Sequence, residues 1–146
     1  MRIYMDVCCL SRLFDDQMQD KIRFETEAII SILNRCNDDW SLVGSDVIAL
    51  EASKAPDATK RQKILLLHES ADERIKSNED IKARAAEFRN NNVKVFDSLH
   101  LATAEYSNVD IFLTSDAKFL KAASRTDVKV RVSNPLDFYM EVMSNG

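Results

Sequence analysis

The chain has 146 residues, a net charge of −4, 45% apolar and 30% charged residues, the profile of a globular domain that buries a core without disulfide or metal staples. An acidic balance argues against a general nucleic-acid coat, which is normally basic, but not against a nucleic-acid enzyme that concentrates acid in one metal pocket. With only two glycines, Gly44 and Gly146, and two histidines, every glycine-rich phosphate loop is excluded and little remains for a His-built zinc site.

In chain order, Arg2-Ile3-Tyr4-Met5 reads as a short apolar strand ending at Asp6. From about Asp20 to Asn37 the pattern is helical, with Ile22, Thr26, Ile29, Leu33 and Cys36 on one stripe. Ser41-Leu42-Val43 is a second strand closed by Gly44, and Ser45 or Asp46 caps a helix that Pro56 stops near Ala55. Asp57 starts a helix to His68, Glu73–Ser77 is a short strand or connector, and Asn78 caps a helix through Phe88. Val93–Phe96 leads to Asp97, expected to cap the helix Ser98–Tyr106. Asp110–Thr114 is the clearest strand, and Asp116 begins a helix to about Ser124. Val128–Val132 alternates like an edge strand, and Pro135 opens a terminal helix. Strands and helices alternate, so the expected fold is an α/β sandwich of one domain, residues 1–146, around a largely parallel sheet.

Chemistry must come mainly from the 24 carboxylates; with four set aside, the remaining 20 balance the 20 Lys plus Arg. Asp6 and Asp116 each follow an apolar strand, where ligands bind in open parallel sheets. Glu51 shares a helix face with Val47, Ile48 and Ala55, so its charge must meet a cation, a pocket or solvent. Asp97 precedes a helix apolar nearly all round, whose positive end would keep a carboxylate ionised. Each acid alone is also explained as a cap or a long side chain reaching solvent. Together they suit a hard divalent cation, Mg²⁺ or Mn²⁺, and metal-assisted phosphodiester hydrolysis.

Other residues take secondary readings. Cys8 and Cys9 are expected to be small buried packing residues, since no phosphatase loop or Cys–His motif accompanies them. His100 reads as a packed or hydrogen-bonded helix histidine. Ser11 and Ser115 are cap or turn hydroxyls with an alternative as contacts near the acids. Asp15-Asp16 follows no strand and reads as a solvated loop, which disfavours a phosphoacceptor switch. Arg12, Lys118, Lys121 and Arg125 are the basic residues nearest the acids in sequence, and the last three share a helix face that could guide phosphates. Three cysteines, two of them adjacent, make a poor disulfide framework and suit a cytoplasmic protein. Met1–Asp6 is no signal segment, and Ile64–Leu67 is too short to span a membrane.

The chain resembles a PIN domain, the fold of many metal-dependent ribonucleases including VapC-type toxins. The carriers are Tyr4-Met5-Asp6, Ser45-Asp46-Val47-Ile48-Ala49-Leu50-Glu51, Asp97-Ser98-Leu99-His100-Leu101-Ala102 and Thr114-Ser115-Asp116-Ala117-Lys118-Phe119. The resemblance implies a parallel sheet of strand order 3-2-1-4-5 flanked by helices, with Asp6, Glu51, Asp97 and Asp116 as metal-binding acids. It also implies RNA as substrate, a possible antitoxin partner and a homodimer; Arg12, Ser115, Lys118 and Lys121 are the expected substrate contacts, by their nearness to the acids in sequence. Cys8 stands where many relatives carry Asn or Ser, and Phe119 and Leu120 stand where some carry another acid; one or two ions both stay open. The rival reading is a non-catalytic PIN module that binds RNA or a protein.

Overall fold

The computed structural model describes residues 1–145. Its elements are β1 (Arg2–Met5), α1 (Val7–Arg12), α2 (Asp20–Cys36), β2 (Ser41–Ser45), α3 (Asp46–Ser53), α4 (Ala58–Glu69) and β3 (Glu73–Ile75), followed by α5 (Glu79–Asn90), α6 (Val95–Tyr106), β4 (Ile111–Leu113), α7 (Ala117–Ser124), β5 (Val132–Ser133) and α8 (Pro135–Asn145). The five strands form one sheet of order β3-β2-β1-β4-β5, and every pairing is parallel. The expected order and class are therefore observed.

Parallel strands joined by helical crossovers are covered on both faces, so they must be apolar on both. Ile3, Tyr4 and Met5 of β1 and Ile111, Phe112 and Leu113 of β4 are accordingly all buried. The two strands pair with Met5 opposite Leu113. From β1 the chain builds outward to β2 and β3, then returns to add β4 and β5 on the other side. β1 and β4 thus flank the point where strand order reverses, the usual ligand crevice of such sheets. Among the described residues no helix is long and apolar enough to cross a membrane.

Helix starts follow side-chain caps. Asp6, Ser45, Asp57, Asn78 and Asp116 each accept a backbone N–H from the first turn that follows. Gly44 lies inside β2 rather than closing it. A Cβ there would stand 2.4 Å from His68 Nε2, so the missing side chain lets the His68 ring lie on the strand. In that position His68 Nε2 accepts the Ser45 N–H at 3.1 Å.

Four expectations are corrected. α6 begins at Val95 with Lys94 as its cap residue, so Asp97 lies inside the first turn and caps nothing. The Ser98 N–H already bonds Lys94 O at 2.8 Å, which shows the helix under way before Asp97. Only Val132 and Ser133 form β5; upstream, the Val128 N–H goes to Thr126 Oγ1 and the Lys129 N–H to Glu105 Oε1. Cys8 is exposed and only Cys9 is buried beside it, because α1 turns Cys9 and Leu10 inward. Asp15 is not merely solvated: it pairs with Arg12 and with Lys60 of α4.

Candidate metal and phosphate site

Asp6 leaves the end of β1 and is 2% exposed. Its Oδ1 accepts the Cys9 N–H at 3.0 Å, starting α1. Asp116 does the same for α7, accepting from Lys118 N and Phe119 N at 2.9 and 3.3 Å. The Thr114 hydroxyl accepts the Asp116 N–H at 3.1 Å and fixes the loop after β4. Each aspartate is thus a helix cap; the Thr114 side chain also reaches Asp6, whereas Asp116 Oδ2 takes no hydrogen bond from the described residues. Asp97, half-buried in the first turn of α6, accepts none on either oxygen from those residues.

Glu51 on α3 is brought to the same place by a chain of hydrogen bonds that starts in the core. Its Oε1 lies 2.8 Å from His100 Nε2. The other ring nitrogen, Nδ1, is 2.7 Å from the Tyr4 hydroxyl, which is 2.8 Å from Ser45 Oγ. Ser45 Oγ in turn accepts the Ile48 N–H at 3.1 Å. A carboxylate only accepts, so in the neutral ring His100 Nε2 donates to Glu51 and Nδ1 accepts from Tyr4. Tyr4 then accepts from the Ser45 hydroxyl, and every donor in the chain points toward Glu51. Burial holds the Tyr4 phenol well above its ordinary 10, so it stays a donor.

The electrostatics show four acids within reach of one another. Burial drives Asp6 from 3.8 to about 6; His100, Thr114 and the Cys9 N–H oppose the rise, and the Glu51 charge adds to it. Asp97 also rises to about 6, by burial first, with Glu51 and Asp116 adding to it. The Cys8 thiol is pushed far up by desolvation and then by Asp6, Asp116, Glu51 and Asp97 together. Among the described residues, no three side chains of the His, Cys, Asp and Glu types converge tightly enough to chelate an ion as they stand. Mg²⁺ and Mn²⁺ nonetheless suit this donor set. They prefer hard oxygens, and Mg²⁺ takes one or two carboxylates while keeping several waters. Like-charged acids held together gain from a cation between them.

Two clefts open beside the acids. One, of about 410 Å³, lies between α1 and α7 and includes Cys8, Ser11, Arg12, Ser115, Asp116 and Lys118. The other, of about 170 Å³, includes Lys94, Asp97, Asp116 and Lys118. Lys121 is exposed and lines neither. Arg12 donates Nε to Glu25 Oε1 at 2.9 Å and Nη1 to Asp15 Oδ2 at 3.1 Å. Glu25 is 1% exposed and also accepts from Asn134 Nδ2 at 2.5 Å. Sequence reasoning missed Glu25, although it sits three residues after Ile22 and four before Ile29, the same signal that marked Glu51. It also missed the Tyr4 hydroxyl, whose place in a fully buried strand demands a polar partner.

The comparisons agree with this fold. The PIN domain family profile matches residues 3–125. The VapBC2 structure from Rickettsia felis, bound to a DNA fragment from its promoter, superposes with TM-score 0.64 and 15% identity, covering 92% of this chain and 98% of that one. The VapBC-1 structure from nontypeable Haemophilus influenzae gives TM-score 0.56 and 15% identity over the same shares. No curated protein matches. With a profile match across most of its length and the sheet order that the resemblance implied, the chain belongs to the PIN domain family.

Proposed function

We propose that this protein is a divalent-metal-dependent endoribonuclease that hydrolyses RNA phosphodiester bonds with Mg²⁺ or Mn²⁺. The observation that carries this reading is the gathering of Asp6, Glu51, Asp97 and Asp116 from four separate segments, with Asp6 and Asp97 both raised to about 6. Burial is the main cause of both rises and the neighbouring carboxylates add to them; a cation among the acids would offset both costs. Asp6, Asp97 and Asp116 hold the ion, and Glu51 holds it too or orients the attacking water. When bound, the ion supplies Lewis acidity toward the phosphate and acidifies a coordinated water. His100, Tyr4 and Ser45 fix the Glu51 carboxylate, and Arg12, Ser115 and Lys118 face the substrate. No covalent intermediate is needed: water attacks phosphorus and the P–O bond to the leaving oxygen breaks.

The test is cleavage of a labelled single-stranded RNA with Mg²⁺ or Mn²⁺. Wild type cuts, chelator stops it, and Asp6→Asn does not cut. Metal-independent cutting, or full activity in Asp6→Asn, refutes the assignment. RNA binding without any cutting would instead favour the non-catalytic module. We further propose a cytoplasmic homodimer paired with a protein antitoxin, a reading supported by the likeness in fold to the VapBC2 and VapBC-1 structures. Light scattering and co-purification with the product of an adjoining reading frame test these two points.

A further inference from the structure

We propose that a single RNA strand crosses the acid pocket through the two clefts that meet at Asp116, with Arg12 gripping a backbone phosphate in one and Lys94 and Lys118 holding the backbone in the other. The inference rests on the nuclease reading for what happens at the acids, but its own content is how the strand is held. Asp116 and Lys118 line both clefts, so the two lie side by side, with Asp116 and Lys118 between them and Asp97 in the second. The second is the narrower, at about 170 Å³ against about 410 Å³.

Acids gathered in one pocket repel phosphates, so the strand must be held from its flanks. Around the larger cleft the charge reverses. Of the residues that line it, Arg12, Lys21 and Lys118 stand against Asp15 and Asp116, one cation in excess. Arg12 is built for this role. A guanidinium has five N–H donors in a rigid fork. Glu25 takes Nε and Asp15 takes one from Nη1; the other three find no acceptor among the described residues, and the whole Nη2 edge is among them. Glu25 is itself buried and held by Asn134, and Lys60 holds Asp15. The fork is therefore fixed before any ligand arrives, with a free edge that matches two phosphate oxygens at little further cost in side-chain entropy. By contrast Lys121 and Arg125, exposed on α7 and at its end, line neither cleft. The helix face that the sequence suggests as a rim is not the path.

The experiment reads binding of a fluorescein-labelled 12-nucleotide single-stranded RNA by anisotropy, in chelator, against KCl concentration. The expected results are about five- to tenfold weaker binding for R12Q and for K94Q/K118Q. The salt slope should flatten by about 0.7 for each phosphate contact removed. Lys82→Gln, on the distant α5, is the unchanged control. R12Q leaves Glu25 buried without its cation, so R12Q/E25Q is run beside it and is expected to bind as weakly. K94Q/K118Q alters only exposed residues and tests the path without touching the fold. Loss confined to K121Q/R125Q would overturn the proposal, as would a duplex that binds as tightly as the single strand. Polyglutamate of equal charge displacing RNA at equal concentration would overturn it in favour of an acidic peptide. Adding Mn²⁺ separates the two readings: the expected binding pattern without cleavage upholds the path and refutes the nuclease assignment.

Discussion

Two clusters of charge meet α1, one at its start and one at its end, and they are built on opposite principles. In one, Arg12, Asp15, Glu25 and Lys60 alternate in sign and satisfy one another, so even the buried Glu25 has its cation. In the other, Asp6, Glu51, Asp97 and Asp116 share one sign; burial pushes Asp6 and Asp97 up to about 6, and neighbouring carboxylates add to the rise. The first cluster stabilises the chain and fixes a side chain. The second destabilises it and leaves carboxylate oxygens unclaimed. The unbalanced side is where a cation would relieve the chain; on the balanced side only the free edge of Arg12 is left for a ligand.

Single substitutions on the two sides should therefore have opposite signs. At neutral pH and without metal, Asp6→Asn is expected to stabilise the fold by up to about 3 kcal/mol, at about 1.4 kcal/mol for each tenfold change in proton affinity, because Asn keeps the cap and sheds the charge. Denaturant midpoints read this directly. A carboxyl raised in the folded state binds more protons there than when unfolded, so its contribution is fullest below pH 4 and is lost as pH rises through about 6. Burial lowers His68 below its ordinary 6.5, which acts the other way: its contribution is full above 6.5 and lost as pH falls. The wild type minus Asp6→Asn difference cancels the His68 part. It should grow between pH 4 and 6; a flat difference would mean Asp6 carries no strain.

Glu25→Gln should do the reverse, costing about 2–3 kcal/mol, since it strips a part-buried Arg12 of its buried partner. A neutral result would place Glu25 outside the balanced cluster. Smaller and more specific is Tyr4→Phe. It leaves the ring in place and cuts the donor chain to His100, so Glu51 loses its fixed orientation. Mn²⁺ affinity should fall about tenfold, as when a hydrogen-bond partner of a ligand is removed. Unchanged affinity would show that Glu51 is held by packing alone. Least of all, Cys8→Ser should stay within about tenfold of wild-type turnover, roughly 1.4 kcal/mol in barrier terms. Its thiol, raised by desolvation and the surrounding acids, is no nucleophile at neutral pH. Complete inactivation with the fold intact would refute a metal-only route.

What was legible in the sequence follows the same division. Asp6 and Asp116 could be read because position after a buried strand is a local signal. Glu51 could be read because a charge on an apolar helix face is a local contradiction. Asp97 was legible as an acid but not as a first-turn residue, since Asp before an apolar run looks the same in either place. The Val128–Val132 alternation resembles a strand because Val130 is buried and Val128 packs on the core. Its backbone partners, however, are the side chains of Thr126 and Glu105, which no periodicity reports. The Arg12–Glu25–Asn134 contacts span the whole chain and exist only once α2 and the β5–α8 turn have met.

The most direct test is a calorimetric Mn²⁺ titration of the metal-free protein at pH 6, repeated in buffers of different ionisation enthalpy. Asp6 and Asp97 are part-protonated there, so an ion bound among them must expel protons. Saturable binding with proton release that disappears in Asp6→Asn is the expected result. No saturable binding at millimolar Mn²⁺, or equal binding by Asp6→Asn, would contradict the assignment of this cluster as a metal site.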